Sequence, residues 1–557
     1  MPSLSTGWAL PLAVLTIANV AGTWFKLISG EVPDPYLDEV FHVPQAQRYC
    51  RNDWSWDPKI TTPPGLQPVI GCDTDVLRLL NVAAICALCI VAYDVLRTLG
   101  APRLTLNARN SSPQKQVDRQ FETDVKYDCS HTALNICLFP PLFFFSGLYY
   151  TDVISTLLVL INYRVFLAGG AGNFTALKSV STILMGIFAL FFRQTNIFWV
   201  GVFPAGLAVV ESLKRQDAPA PATDRTFAEI IGDSWSRGTV YDVPVHDADL
   251  QDYAIVIASV ALVALRSPII VIKSVMTYVV LLFLFGGFVA WNGGVVLGDK
   301  SNHVATIHLP QMLYLWPYIG FFSLPLLVAP LLAPIVRRLP GGLLKTFPLD
   351  SLIGPTRISL PGIAGVVLFS IFGLLAVHYN TIVHPFTLAD NRHYVFYVFR
   401  ILRRHPTIKY LAVPVYYTGG YLVISVLGAR SSKQSSRRAE KGHQPTSARS
   451  IRKPCQASFV IVWLATTALS VVSAPLVEPR YFIIPWMMWR LHVPAKLASL
   501  SDADARSKQR ASSASLDLRL TLETSWHLAI NTAVGYLFLY RGFSWDNEPG
   551  RIQRFLF

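Results

Sequence analysis

The sequence predicts an all-α polytopic membrane protein with about 12–14 transmembrane helices, and three observations carry that prediction. Hydrophobic residues make up 52% of the 557-residue chain and charged residues only 15%, against about 25% charged in an ordinary soluble domain. A chain this apolar cannot cover itself with polar surface in water. Apolar windows close to the roughly 20 residues needed to cross hydrocarbon recur along the whole length. Basic residues gather in a few loops, as in a chain oriented by its positive loops. The same composition excludes disorder, a coiled coil and a disulfide scaffold.

Taken in order, the clear windows are 8–28, 77–96, 131–150, 268–290, 311–336, 358–378, 408–427 and 456–477, with shorter or interrupted ones at 152–168, 177–192, 196–211, 481–492 and 525–541. The first run lacks a basic leading region and reads as a membrane helix, not a cleaved signal. The stretch 253–266 is short and ends in Arg-Ser-Pro, which reads as an interfacial lead-in to the next span. The chain divides into an N-terminal membrane module (1–212), a polar loop expected in the cytoplasm (213–252), a central membrane region (253–427), a Ser-rich basic linker (428–455) and a C-terminal membrane region (456–557). The 213–250 stretch, with its Pro-Ala repeats and mixed charge, has the composition of a linker like 431–450.

With 48 basic and 34 acidic residues the net charge is +14. In a membrane chain this charge belongs to orientation, not to nucleic acid. The loops 97–129 and 428–455 and the turn around Arg337, Arg338 and Lys345 hold the basic clusters and are expected in the cytoplasm. The loop 30–75 has three basic residues, one helix away from a basic loop, and is expected on the opposite face. The sequons at Asn110 and Asn173 then fall on the cytoplasmic side. Of seven cysteines, Cys86 and Cys89 lie in an apolar run and read as packing residues. Cys50 and Cys72 flank one polar loop and can pair if it faces an oxidising lumen.

Polar residues beside membrane spans are where chemistry is expected, because ionisable groups at membrane depth are costly. Four clusters stand out. In PDPYLDEVFHVPQAQRYC, Asp38 and Glu39 are adjacent acids followed by His42, Gln45 and Gln47. A short helix over 37–42 would put Asp38, His42 and Gln45 on one face at i, i+4, i+7. Either carboxylate could take a hydroxyl proton as general base, whereas a solvated acidic turn would show the same residues. In WSWDPKITTPPGLQ, Trp56 and Asp57 suit a carbohydrate face as well as a membrane anchor. Asp152, with Arg193 and Gln194, sits at span ends and could bind substrate or lock helices together. The run Asp390, Asn391, Arg392, His393, Tyr394, with Arg480 beyond it, is too polar for lipid; forked Arg donors suit a phosphate headgroup. No P-loop, dinucleotide fingerprint, HExxH or sugar-nucleotide DxD setting is present, so any sugar donor is expected to be lipid-borne and used without a metal or other cofactor.

These segments carry a resemblance. PYLDEVFHVPQAQRYC, WDPKITTPPGL, GLYYTDVIS, FFRQTN, NGGVVLGDKSNH, DNRHYVFYVFR and PRYFIIPWMMWR, in this order from about residue 33 to 490, resemble the dolichyl-phosphate-glucose-dependent alpha-1,2-glucosyltransferase family of the endoplasmic reticulum. The resemblance implies a GT-C-type membrane glycosyltransferase with its site facing the lumen. It implies dolichyl-phosphate-glucose as donor and the diglucosylated dolichol-linked oligosaccharide as acceptor. The reaction it implies is an inverting transfer that adds the terminal alpha-1,2 glucose, with the catalytic base in the first loop. Asp38 is the favoured base and Glu39 the alternative. Arg392 and His393 are the favoured donor-phosphate ligands, with Arg193 and Arg480 behind them. Where the sequence continues QPVIGC after PPGL, family members usually carry an aromatic, which leaves the form of that turn open. The residues alone also allow a lipid-linked sugar transporter or flippase, or a sibling polyprenyl-phosphate mannosyltransferase. The oligomeric state is not legible.

Overall fold

A computed structural model describes residues 8–63, 65, 71–100, 112–169, 176–214, 226–298, 300, 306–328, 331, 361–428, 454–474, 476–494 and 517–557. The basic linker 429–453, both sequons' asparagines and Arg337, Arg338 and Lys345 lie outside the described residues. In chain order the helices are α1 (Ala9–Glu31), α2 (Glu39–Cys50), α3 (Thr74–Gly100), α4 (Ser112–Cys137), α5 (Pro140–Phe144), α6 (Asp152–Gly169) and α7 (Ala176–Leu190). After a π-helical turn at Phe198–Val202 come α8 (Phe203–Lys214), α9 (Phe227–Arg237), α10 (Leu250–Arg266), α11 (Pro268–Asn292), α12 (Pro310–Phe322) and α13 (Ile363–Tyr379). The remainder are α14 (Pro385–Ala389), α15 (Tyr394–Leu402), α16 (Ile408–Leu411), α17 (Val413–Val426), α18 (Ala457–Val471), α19 (Ile483–His492) and α20 (Leu518–Tyr540). The strands β1 (Phe543–Ser544) and β2 (Ile552–Gln553) pair antiparallel in a C-terminal hairpin.

Every apolar window read from the sequence carries helix. By length and apolarity, α1, α3, α6 and α11 are long enough to cross a membrane among the described residues. Several other windows are broken by proline. The expected span 131–150 is not one helix: α4 ends at Cys137 and the chain bends by 62° into α5 and a 3-10 turn. Pro140 and Pro141 lack donors, and Phe139, ahead of Pro140, takes ψ 117°; a residue before proline is pushed out of the helical region. The basic loop 97–129 is also shorter than expected, because α3 runs to Gly100 and α4 starts at Ser112.

Part of the expected linker 213–252 folds. Thr226 and Glu229 form a capping box on α9, and Gly238 ends it at φ 73°. These are the start and stop signals of a short helix. The α9 helix packs on α10 through Ile230 and Ser234, whose hydroxyl lies 2.8 Å from Ser259. The stretch 253–266 belongs to a helix in its own right, packed on α8 and α18 and separated from α11 by Ser267, after which Pro268 opens the next helix.

Two groups of helices share one core. The first packs α3 against α1, α4 and α6; the second packs α12 on α17 and α18 on α8 and α10. The α19 helix sits between them, buried from Ile483 to Leu491. A helix apolar on all sides belongs inside a large core. Its polar atoms are satisfied: Trp486 donates to Ser323 Oγ at 2.8 Å, Trp489 to the Val423 carbonyl at 3.0 Å, and Arg490 forks onto Glu523 of α20 at 2.6 and 2.7 Å. The α20 helix packs back on α4, α5 and α1, and brings the C-terminal hairpin to the end of the bundle where α1 stops. There Arg554 donates to the Glu31 carbonyl and Tyr36 bonds the Arg554 backbone.

Candidate active site

The site lies where the segments after α1, before α6, after α7 and before α19 meet. Asp38 immediately precedes α2 and does not cap it with its side chain. Leu37 sits at φ 52°, a left-handed position rarely adopted by a branched side chain. Tyr36, bonded to Arg554, and Tyr150, whose hydroxyl accepts from the Asp38 amide at 3.0 Å, hold that turn. The helix expected over 37–42 starts two residues later, at Glu39, because Leu37 is left-handed, and it extends to Cys50.

The two adjacent acids go opposite ways. Glu39 is fully buried and forked onto Arg78 of α3 at 2.7 and 2.9 Å. Its oxygens also accept the Tyr149 amide at 2.6 Å and the Tyr36 amide at 3.2 Å. Asp38 keeps 41% of its side chain open and is met by Arg480 Nη1 at 2.7 Å. Partial burial pushes the Asp38 carboxyl up, but the charge of Arg480 outweighs it and leaves the group below the ordinary carboxylate range. His42, one turn along α2, is pushed down by burial more than Asp38 pulls it up, so it stays neutral near pH 7.

Arg480 is the hub. Its Nη2 lies 2.8 Å from Glu478, and its Nη1 is 4.0 Å from Asp152 Oδ2. Asp152, 2% exposed, is paired through Oδ1 with Arg193 at 3.2 Å, while its Oδ2 has no hydrogen-bond partner. Arg193 also lies 5.6 Å over the Tyr481 ring. Asp38, Asp152, Arg193 and Arg480 are therefore one cluster.

The other sequence-predicted residues divide into supports and a second wall. Both ends of the Gln45 amide hold the first loop, through the Ser55 carbonyl at 2.8 Å and the Asp57 amide at 2.9 Å. Asp57 itself accepts the Lys59 amide. Gln47 donates to the Cys72 carbonyl, beside a Cys50–Cys72 disulfide with Cα atoms 6.3 Å apart. Gln194 donates to the Thr61 carbonyl at 2.7 Å. Leu297 docks on the same carbonyl, and a Cβ on Gly298 would strike the Pro58 and Ile60 carbonyls. Trp56 lines a narrow crevice with His42 and Tyr49, its indole nitrogen unpartnered.

The second wall is the 390–394 turn and the C-terminal hairpin. Arg392 forks onto Asp390 at 2.6 and 2.9 Å, donates to Gln553 at 3.1 Å and lies 4.8 Å over the Trp545 ring. Asn391 accepts the Trp545 indole N–H, His393 Nδ1 lies 3.2 Å from the Phe557 carbonyl, and Tyr394 packs on the Phe557 ring. Burial lifts the Asp390 carboxyl, and its bonds to Arg392 bring it back below its ordinary value. Arg392, expected as the leading phosphate ligand, thus has its guanidinium already matched.

The sequence reading missed Glu478, Tyr150, Arg78 and Trp545. Arg78 carried a signal, being the one basic residue between 75 and 96, in an otherwise apolar helix. Trp545 carried none, since it reaches the site only through the hairpin.

Comparison with known proteins agrees with the reading from motifs. A 41%-identical relative from Aspergillus fumigatus covers all of this chain and 98% of its own length, and is named Dol-P-Glc:Glc(2)Man(9)GlcNAc(2)-PP-Dol alpha-1,2-glucosyltransferase. Proteins of the same name from Emericella nidulans and Mus musculus are 41% and 29% identical, matching 100% and 96% of this chain and 98% and 95% of their own lengths. The Archaeoglobus fulgidus oligosaccharyltransferase matches with a TM-score of 0.22, 12% identity, and 86% and 56% coverage of this chain and that one. A superposition that loose leaves the fold to be described from the chain's own helices. The model of the DIE2/ALG10 family matches residues 32–491, which contain every acid and arginine of the cluster. The chain is a member of the DIE2/ALG10 family.

Proposed function

We propose that this chain transfers glucose from dolichyl-phosphate-glucose to the diglucosylated dolichol-linked oligosaccharide, with inversion, at the lumenal face of the endoplasmic reticulum membrane. Full-length similarity to relatives named for that reaction supports the substrates. The observation that carries the mechanism is the contrast between the adjacent acids: Glu39 is matched on both oxygens by buried donors, and Asp38 is partly open beside one arginine, Arg480.

In this reading Asp38 removes the proton of the acceptor hydroxyl as its oxygen attacks the anomeric carbon. The bond from that carbon to the phosphate oxygen breaks, and its electron pair leaves with dolichyl phosphate. One attack inverts the centre, so one base suffices. General base catalysis of this kind contributes about a hundred- to ten-thousand-fold. Arg480 and Arg193 offset the charge growing on the leaving phosphate, as preorganised donors do. Asp152 Oδ2, buried and without a hydrogen bond, can accept from a substrate hydroxyl. His42, neutral, can orient the attacking hydroxyl.

The test is purified protein with both lipid substrates. Gain of one glucose by the acceptor supports the reading. Transfer from dolichyl-phosphate-mannose instead would make the chain a mannosyltransferase, and movement of lipid-linked sugar without transfer would make it a transporter.

A further inference from the structure

A cavity of about 380 Å³ lies between α14, the start of α15, residues 476–479 and Trp545. Its walls include Thr387, Asp390, His393, Phe396, Glu478 and Trp545. We infer that this cavity is the subsite for the neutral glucose end of the acceptor, and that the donor phosphate does not bind there.

Charge is the first argument. The turn that lines the cavity supplies one guanidinium, Arg392, and Asp390, Gln553 and the Trp545 ring already hold it. Glu478 is paired with Arg480, which faces Asp38. Each acid is matched by one arginine, so the cavity offers no surplus positive charge to a phosphate. A carboxylate bonded to one guanidinium still has lone pairs for hydroxyl donors. Paired acids of this kind suit an uncharged, hydroxyl-rich ligand.

Shape is the second argument. Phe396 and Trp545 give apolar faces, and Thr387, Asp390, His393 and Glu478 give polar edges. Pockets for small ligands combine mostly apolar walls with a few placed polar groups, in about 300–1,000 Å³. A glucose ring presents the matching pattern of C–H faces and hydroxyl edges.

Position is the third. Glu478 lines the cavity and belongs to the surroundings of Asp38, because Arg480 pairs with both carboxylates. A sugar seated there would touch a carboxylate that shares Arg480 with the base.

This inference rests on the proposed glucosyl transfer, so wild-type protein must first transfer glucose; failure there is failure of that reading, not of the subsite. Ala389 also lines the cavity, and Ala389→Trp would fill it without removing any polar partner. With both substrates varied, the acceptor KM should rise at least about tenfold while the donor KM stays within about twofold. A rise in donor KM alone would make the cavity a seat for the donor or its polyprenyl chain. Should Ala389→Trp fail to fold, the diglucosylated glycan freed of its pyrophosphate lipid should inhibit the wild type competitively against acceptor and not against donor. Absence of inhibition at about 5 mM glycan, or competition with donor, would overturn the subsite.

Discussion

Arg480 Nη1 stands 2.7 Å from Asp38 Oδ2 while its Nη2 stands 2.8 Å from Glu478. The group proposed to take the proton and a group proposed to steady the leaving phosphate are therefore joined before either substrate arrives. A carboxylate in such a pair is ionised at neutral pH and is a weaker base than a free one.

That pairing sets a pH profile. Asp38 must be ionised to act, and its carboxyl sits below the usual carboxylate range, so transfer should be flat at neutral pH and fall only as pH drops through that depressed value. The same sign holds for stability: the pair stabilises the fold above the ordinary carboxyl pKa and loses this as pH falls through the depressed one. Arg480→Gln removes the largest influence pulling Asp38 down, so the acidic limb of the rate profile should move to higher pH along with a loss of rate. An unmoved limb in kcat/KM would disconnect Arg480 from the base.

Glu39 should behave as a structural residue. Removing one partner of a fully buried ion pair leaves an uncompensated charge and typically costs about 3–5 kcal/mol. Glu39→Ala should therefore lower the thermal midpoint in detergent strongly, by stranding Arg78 and the Tyr149 amide. A stable but inactive Glu39→Gln would return the base role to Glu39.

The C-terminal hairpin should be needed for the fold of the site. Leu556 and Phe557 are buried, and Phe557 packs on Phe144, Phe322 and Tyr394. Truncating a buried Phe to Ala typically costs about 3–5 kcal/mol. Phe557→Ala should lower the thermal midpoint and raise acceptor KM by loosening the 390–394 turn. An unchanged midpoint would mean that the hairpin is an appendage.

The first loop should face an oxidising lumen. Alkylation without reductant should leave Cys50 and Cys72 unmodified by mass spectrometry, and Cys50→Ser should cost about 2–4 kcal/mol. Glycosylation tags near Gly71 should be modified and tags near Ser435 should stay bare; the reverse pattern would invert the topology.

Much of this was legible because local chemistry and tertiary structure agree. The spacing of Asp38, His42 and Gln45 marked a helix face, and α2 begins there. The break at Pro140-Pro141 was equally local, and only the continuous apolarity of 131–150 disguised it. Gln45, Gln47 and Gln194 drew attention as polar residues near spans, yet their amides hold loop carbonyls, a use that sequence spacing does not reveal. The contact between Tyr36 and Arg554 joins residues 518 positions apart. No periodicity encodes such a contact, and the second wall of the site depends on it.

The central claim is that Asp38 takes the acceptor proton, and Asp38→Asn tests it most directly. Asparagine keeps the size and much of the hydrogen bonding but has no basicity. Single-turnover transfer should be measured with the variant loaded with dolichyl-phosphate-glucose and mixed with saturating acceptor. The account predicts a folded protein that still binds donor and transfers glucose at least about a hundredfold more slowly. Transfer at close to the wild-type rate would contradict it.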